Sequence, residues 1–441
     1  MKYLHKKIRD YLRVRILPDN ILWEIDPLYK LEGLVRPENF TILHSTEPVE
    51  MRLPASQPTS ASPPAPPHYL LINGSLHYWT DIQSRLREAA EHCDRDTRLV
   101  IIYFSQLWQP LIRLASLLGI RPILGEMNWL APADVDSMLR ISGYELIEDR
   151  PRVLLPIYIP FVSDFVNRYL APLPLFNLFC LLHIATARKK TDRWHGRPAS
   201  VSVVVPARNE AGHIEQALER VPLMSPEDEL IFIEGNSTDD TWERICTLTR
   251  QERWQQKWGG RIKIAQQDGK GKGDAVRKGF SMATGDILMI LDADLTVPPE
   301  DLPKFYRALL EDAGEYINGS RLVYPMEKKA MRFFNMLGNK FFALAFSEIL
   351  GTRFKDTLCG TKVLSREHYQ RLAANRSFFG DFDPFGDFDL IFGACRMGLK
   401  MVEVPIRYRE RQYGDTNISR WRHGAILFRM LAFAARKIYF T

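Results

Sequence analysis

Two carboxylates one residue apart, Asp292 and Asp294, close the apolar run Ile287-Leu288-Met289-Ile290-Leu291. Acids that close repel each other and cannot be left dry, so a positive group belongs between them. A hard divalent cation such as Mg2+ or Mn2+, held through oxygen and still able to carry substrate phosphates, fits that chemistry best. A polar turn running into Pro298-Pro299-Glu300-Asp301 is the simpler alternative. Upstream, Asp268-Gly269-Lys270-Gly271-Lys272-Gly273-Asp274 interleaves glycine with charge at a helix start. Free backbone N–H groups and the ammonium groups of Lys270 and Lys272 suit a diphosphate there, and a flexible surface loop is the competing reading.

These groups need elements to hold them. The apolar run before Asp292 reads as a strand buried on both faces, as in a parallel sheet covered by helices, with its ligand at the carboxyl end. Strands over 201–205 and 230–233 end in Pro206-Ala207-Arg208-Asn209-Glu210 and Glu234-Gly235-Asn236, delivering polar groups to the same edge.

At 441 residues the chain is too long for one ordinary domain. Its 46% hydrophobic and 25% charged residues exclude a disordered or fibrous chain, and a net charge of +6 points to anionic ligands or a membrane surface more than to nucleic acid. Five scattered cysteines, without metal-ligand spacing, predict reduced thiols in a cytosolic compartment. The Pro/Ser-rich stretch 52–67 is an exposed loop. Strands over 68–72 and 97–104 and helices over 81–92 and 133–142 make a small α/β unit around it. The expected division is 1–190, a linker 191–199, a larger domain 200–417 and a closing helix 418–441. Residues 1–17 lack the apolar core of a secretory signal and read as a basic amphipathic helix, with Leu4, Ile8, Tyr11 and Leu12 on one side. Such a helix is either solvated or laid on anionic lipid. The uncharged run 169–187, broken by Pro172 and Pro174, reads as a buried or re-entrant helix rather than a span. Residues 418–441 mix Trp421, Leu427, Phe428, Leu431 and Phe433 with basic residues. They predict an interfacial helix docked on a membrane, or one packed on its own domain.

From Val201 to Asn417 the ordered motifs resemble the family 2 nucleotide-sugar glycosyltransferases, and among them the dolichyl- or polyprenyl-phosphate mannose and glucose synthases. The marks are Asp292-Ala293-Asp294, Pro298-Pro299-Glu300, Gly319-Ser320-Arg321, Asp356-Thr357-Leu358-Cys359-Gly360, Glu403-Val404-Pro405-Ile406, and Arg411 before Gly414. The resemblance implies an α/β, Rossmann-like GT-A domain and an inverting, metal-dependent hexosyl transfer to a lipid phosphate. It also implies roles: Pro206 and Glu210 border the nucleoside, Glu234 holds base or ribose, and Lys270 and Lys272 lie near the nucleotide. Asp292 and Asp294 hold Mg2+ or Mn2+ on the diphosphate, Arg321 faces the acceptor phosphate, and Arg411 closes over the substrate. Asp387 and Asp389 are the candidates for a general base or for acceptor positioning, with helix N-capping as the structural alternative. Glu234-Gly235-Asn236 replaces the family's usual pair of acids, and Thr296 stands where a Gln is usual, so the donor base, UDP or GDP, stays open. Transfer to a sugar hydroxyl is the alternative reaction, and a non-catalytic nucleotide-sugar-binding scaffold the alternative of another class. The expected partners are a nucleotide-sugar donor, a lipid-phosphate or glycan acceptor and the membrane, at whose cytoplasmic, inner face the protein would sit; nucleic acid is not among them.

The first half resembles a class I S-adenosylmethionine-dependent methyltransferase domain, carried by Leu99-Val100-Ile101-Ile102-Tyr103, Asn128-Trp129-Leu130 and 134–143. Where that family has a Gly-rich cofactor loop this chain has Ile21-Leu22-Trp23-Glu24-Ile25-Asp26-Pro27-Leu28, so the resemblance implies a degenerate domain without methyl transfer.

Overall fold

The computed structural model describes residues 2–28, 31, 33–44, 66–119, 127–194, 196, 198–324, 333–376, 388–409 and 420–440. The chain forms two compact units, Met1–Thr191 with Arg436–Thr441, and Asp192–Ala435.

The first unit runs α1 (Lys2–Leu12), β1 (Leu22–Ile25), β2 (Phe40–Leu43), β3 (Tyr69–Asn73), α2 (Ile82–Glu91), β4 (Arg98–Phe104), α3 (Gln109–Leu117), α4 (Pro132–Ile141), β5 (Tyr144–Arg152), α5 (Val162–Phe165) and β6 (Leu182–Lys189). Its sheet has the order β2-β1-β3-β4-β6-β5, parallel from β2 to β4 and antiparallel on both sides of β6. Successive side chains of β3 and β4 point to opposite faces. Leu70, Ile72, Leu99 and Ile101 therefore pack with Leu86 of α2 and Leu139 of α4, while Leu71, Val100 and Ile102 pack with α1. Leu4, Ile8, Tyr11 and Leu12 are buried in that second cluster, so the apolar side of α1 is taken up within its own unit and is not available to lipid. Asp81 starts α2 as expected of an N-cap, accepting from the Ser84 amide at 2.9 Å.

The run 169–187 is not the buried helix its composition predicts. Its second half is strand β6, which exchanges ladder bonds with β4 and β5. Pro172 and Pro174 stop helical extension, and a short apolar run is ambiguous between helix and strand until its neighbours are known. Among the described residues no helix is long and apolar enough to cross a membrane.

The second unit runs β7 (Val201–Ala207), α6 (Ile214–Arg220), β8 (Glu229–Glu234), α7 (Thr241–Thr249), α8 (Glu252–Trp258), β9 (Ile262–Gln266), α9 (Gly271–Met282), β10 (Ile287–Ile290), α10 (Leu302–Leu310), β11 (Tyr316–Ser320), α11 (Phe333–Leu350), β12 (Lys362–Ser365), α12 (Arg366–Ala374), α13 (Phe388–Arg396), β13 (Met401–Pro405) and α14 (Arg420–Ala434). The sheet order is β13-β11-β12-β10-β7-β8-β9. Every residue of β10 is buried, as its apolar run requires. Its surroundings are mixed rather than wholly parallel, with β7 parallel on one side and β12 antiparallel on the other. Helix α9 lies so close on the sheet that a Cβ on Gly279 would stand 2.3 Å from a methyl of Val204. Helix α14 packs on α11, with the Phe342 and Phe428 rings 5.0 Å apart, which is the own-domain alternative for that stretch. All five cysteines are free; four are buried, and Cys246 on α7 is half-buried.

Candidate active site

The sheet register brings the ends of β10, β7 and β8 to one edge. The last ladder bond of the central strand is Leu291 N to Val204 O, at 3.0 Å, and Asp292 follows at once. Its Oδ1 meets Nζ of Lys272, in the first turn of α9, at 2.6 Å. The backbone of Gly360, just before β12, presses on the same pair. A Cβ there would stand 1.9 Å from Asp292 Oδ2 and 2.5 Å from Lys272 Nζ, so any side chain at 360 would have to displace the pair. Asp294 turns the chain by accepting from the Thr296 hydroxyl at 2.9 Å and its amide at 3.2 Å. The Thr296 carbonyl in turn accepts from the Arg409 amide at 3.0 Å, which ties the segment after β13 across this edge.

Tyr408 in that segment joins the acids to Arg321. Burial pushes its phenol pKa up; Arg321 opposes that, and Asp294 and Asp292 reinforce it. The Arg321 guanidinium lies over the Tyr408 ring, 5.1 Å from its centre. Its fork is held by Asp356, with Nε and Nη2 donating at 2.6 and 2.9 Å. Asp356 is fully buried and also accepts from Asn339 at 2.9 Å, while its own amide donates to Glu403 at 2.9 Å. Burial alone would raise the Asp356 carboxyl, but Arg321 and then Asn339 override it and bring it down to about 2. The same pairing holds Arg321 well above its ordinary value against the pull of burial. Arg321 is thus a cation held in place by Asp356 at the end of β11.

The residues at the ends of β7 and β8 are equally fixed. Glu234, 1% exposed, accepts from the Ser237 amide and from Gln266 Nε2, the latter at 3.1 Å. Glu210 is buried against His213 Nδ1 at 2.9 Å, and its amide donates to Thr241 at 2.9 Å. Pro206 sits in β7 opposite Ile233. Asn209 and Asn236 take left-handed φ values of 56° and 57°, which short polar side chains tolerate. The Asn236 side chain reaches the Gly269 carbonyl at 3.2 Å, linking the β8 turn to the glycine-lysine loop. Lys270, exposed, is the residue before the first turn of α9.

The structure therefore gathers Asp292, Asp294, Lys272 and Arg321 in one cluster, with Glu210, Glu234 and Pro206 at the neighbouring strand ends. Asp389 is in the first turn of α13, where Arg376 Nε donates to it at 3.0 Å. Asp387 and Arg411 lie outside the described residues. The roles of Asp356, Gly360 and Tyr408 escape the sequence reading, although the first two stand inside a motif it singles out. Asp292 and Asp294 offer the oxygen donors that Mg2+ or Mn2+ takes, and the lysine drawn to Asp292 marks a place that attracts positive charge.

Residues 202–372 match the family model "Glycosyl transferase family 2". A dolichol-phosphate mannosyltransferase of Pyrococcus furiosus is 28% identical over 225 residues, 49% of this chain and 59% of that protein. An undecaprenyl-phosphate 4-deoxy-4-formamido-L-arabinose transferase of Klebsiella pneumoniae is 26% identical over 226 residues, 50% of this chain and 62% of that protein. The chain thus spans about three-fifths of the length of these relatives. Among solved structures, glucosyl-3-phosphoglycerate synthase from Mycobacterium tuberculosis aligns at a TM-score of 0.39 with 22% identity, covering 54% of this chain and 80% of that one. The second unit of this chain accordingly carries a family 2 glycosyltransferase domain.

Proposed function

We propose that the chain is an inverting, metal-dependent glycosyltransferase that moves a hexose from a UDP- or GDP-linked donor to a polyprenyl phosphate. The observation that carries this reading is the junction of Asp292 with Lys272 under Gly360, at the carboxyl end of a buried strand. Lys272 and the amides of the first turn of α9 hold the donor's diphosphate, and Glu210, Glu234 and Pro206 line the nucleoside. Asp292 and Asp294 hold Mg2+ or Mn2+, which when bound offsets the charge that develops on the leaving diphosphate. The acceptor oxygen attacks the anomeric carbon as the bond to the diphosphate breaks, and the electron pair leaves with the diphosphate. Arg321, immobilised by Asp356, supplies positive potential at the acceptor end.

The state of Asp389 favours a phosphate acceptor over a sugar hydroxyl. Its carboxylate accepts from Arg376, and an acid held in an ion pair is a poor proton acceptor. A lipid phosphate is already ionised and needs no base. The similarity to a dolichol-phosphate mannosyltransferase and to an undecaprenyl-phosphate 4-deoxy-4-formamido-L-arabinose transferase supports the same acceptor class. In this reading the first unit is a methyltransferase-like fold without methyl transfer, because β1 runs into Asp26-Pro27-Leu28 with no glycine for a cofactor. The protein works at the cytoplasmic face of a membrane, and Phe428 of α14 and Leu344 of α11, 55% and 73% exposed, suit that contact.

Calorimetric titration of UDP-glucose and GDP-mannose, each with and without Mn2+, tests the donor site. Saturable, metal-dependent binding of one donor is expected; binding of neither, with other sugar nucleotides equally silent, would overturn the reading in favour of a scaffold.

A further inference from the structure

Buried guanidinium groups ordinarily have carboxylate partners, because an uncompensated charge out of water is costly. In the first unit Arg152 departs from that rule. It is 6% exposed, and among the described residues its guanidinium meets the Tyr11 ring, 5.3 Å from the guanidinium carbon, and the neighbouring Pro151 carbonyl at 3.5 Å, with no carboxylate partner. It lines a pocket with Arg15, Arg150, Glu148, Tyr11 and Thr186. Glu148, the pocket's acid, is already engaged by Arg15 and by Arg150, the latter at 2.8 Å, and Arg15 also donates to Thr186 at 3.0 Å. Among the residues that line the pocket, three guanidinium groups thus meet one carboxylate.

We propose that this pocket binds a phosphate-type anion, with Arg152 as its anchor and Arg15, Arg150 and the Thr186 hydroxyl as its flanks. A phosphate offers the two acceptor oxygens that a guanidinium fork takes together, and its charge balances the excess that Glu148 leaves. Burial, reinforced by Arg150, pushes Arg152 down to about 10, the expected sign for a cation missing its counter-charge. The anion has two possible sources, a free phosphate group or the headgroup of an amphiphile. The second is included because the pocket wall is bonded to an apolar surface: the Tyr11 hydroxyl donates to the Asn167 carbonyl at 3.2 Å. On either side of that residue in sequence Ile157, Phe161, Phe165, Leu175, Leu178 and Phe179 all stand exposed.

The test uses the full chain. Inorganic phosphate and pyrophosphate are titrated calorimetrically at constant ionic strength, and binding to phosphatidylcholine vesicles with and without phosphatidic acid is measured by sedimentation. Because the second unit has its own lysine-lined site, each measurement is repeated on Lys272→Ala. Binding that survives Lys272→Ala and weakens about tenfold or more in Arg152→Gln is expected, since charge-assisted bonds are lost. Retention by phosphatidic acid vesicles alone would assign the anion to a lipid; phosphate binding alone would assign it to a free group. No binding in either arm, or equal binding by Arg152→Gln, overturns the site. Should Arg152→Gln fail to fold, Arg15→Gln, which leaves Glu148 bonded to Arg150, must weaken the same binding; an unchanged affinity overturns the proposal as surely.

Discussion

Lys272 and Asp292 meet where a divalent ion and a diphosphate would each draw one of them away. Asp292→Asn keeps the shape and removes the charge. It should lower turnover by about 10²–10³-fold, the loss seen when one transition-state charge contact is removed, while circular dichroism stays that of the parent. An unchanged rate with Mn2+ present would remove Asp292 from the metal site. Gly360→Ala is a sharper probe, because its methyl would need the space of the Asp292 carboxylate itself. We expect metal-dependent donor binding to vanish in that variant while its fold persists. Asp356 is a different kind of residue. Asp356→Asn strands Arg321 as a buried charge and should cost about 3–5 kcal/mol in urea unfolding. The folded value of about 2 lies below the ordinary aspartate value of about 3.9, so the pair's stabilisation is whole above about pH 4 and is lost as pH falls through 2. The variant's stability should therefore be flatter than the parent's in acid, as unfolding curves between those pH values will read. The two site acids were legible in the sequence because acids ending an apolar run are a local pattern. Asp356's pairing with Arg321 was not, because the partners are 35 residues apart and a buried ion pair leaves no periodicity.

At the level of elements, β10 positions everything downstream of it. Leu288 is fully buried there, and Leu288→Ala should cost about 2–5 kcal/mol; urea unfolding will measure this, and the donor site should weaken with it. The strands ending at the site were readable from their β-branched runs and the turns that close them. The antiparallel insertion of β12 beside β10 was not, because a strand's neighbours are chosen by the fold and not by its own composition. The same reason accounts for β6, whose Leu-His-Ile-Ala-Thr-Ala stretch carries nothing that says it will pair on both edges.

For the whole molecule, two compact units predict two unfolding transitions in calorimetry, with Asp356→Asn moving only one of them. A single transition displaced as a whole would argue that the units unfold together. The division also bears on how the chain is made. Ile438 and Tyr439 are buried in the first unit, where the Tyr439 hydroxyl donates to the Pro172 carbonyl across 267 residues of sequence. During synthesis a domain ordinarily closes once its own residues have left the ribosome. Here the first unit must wait, with this seam open, until all of the glycosyltransferase domain has been translated, so the half that is made first is the half that is finished last.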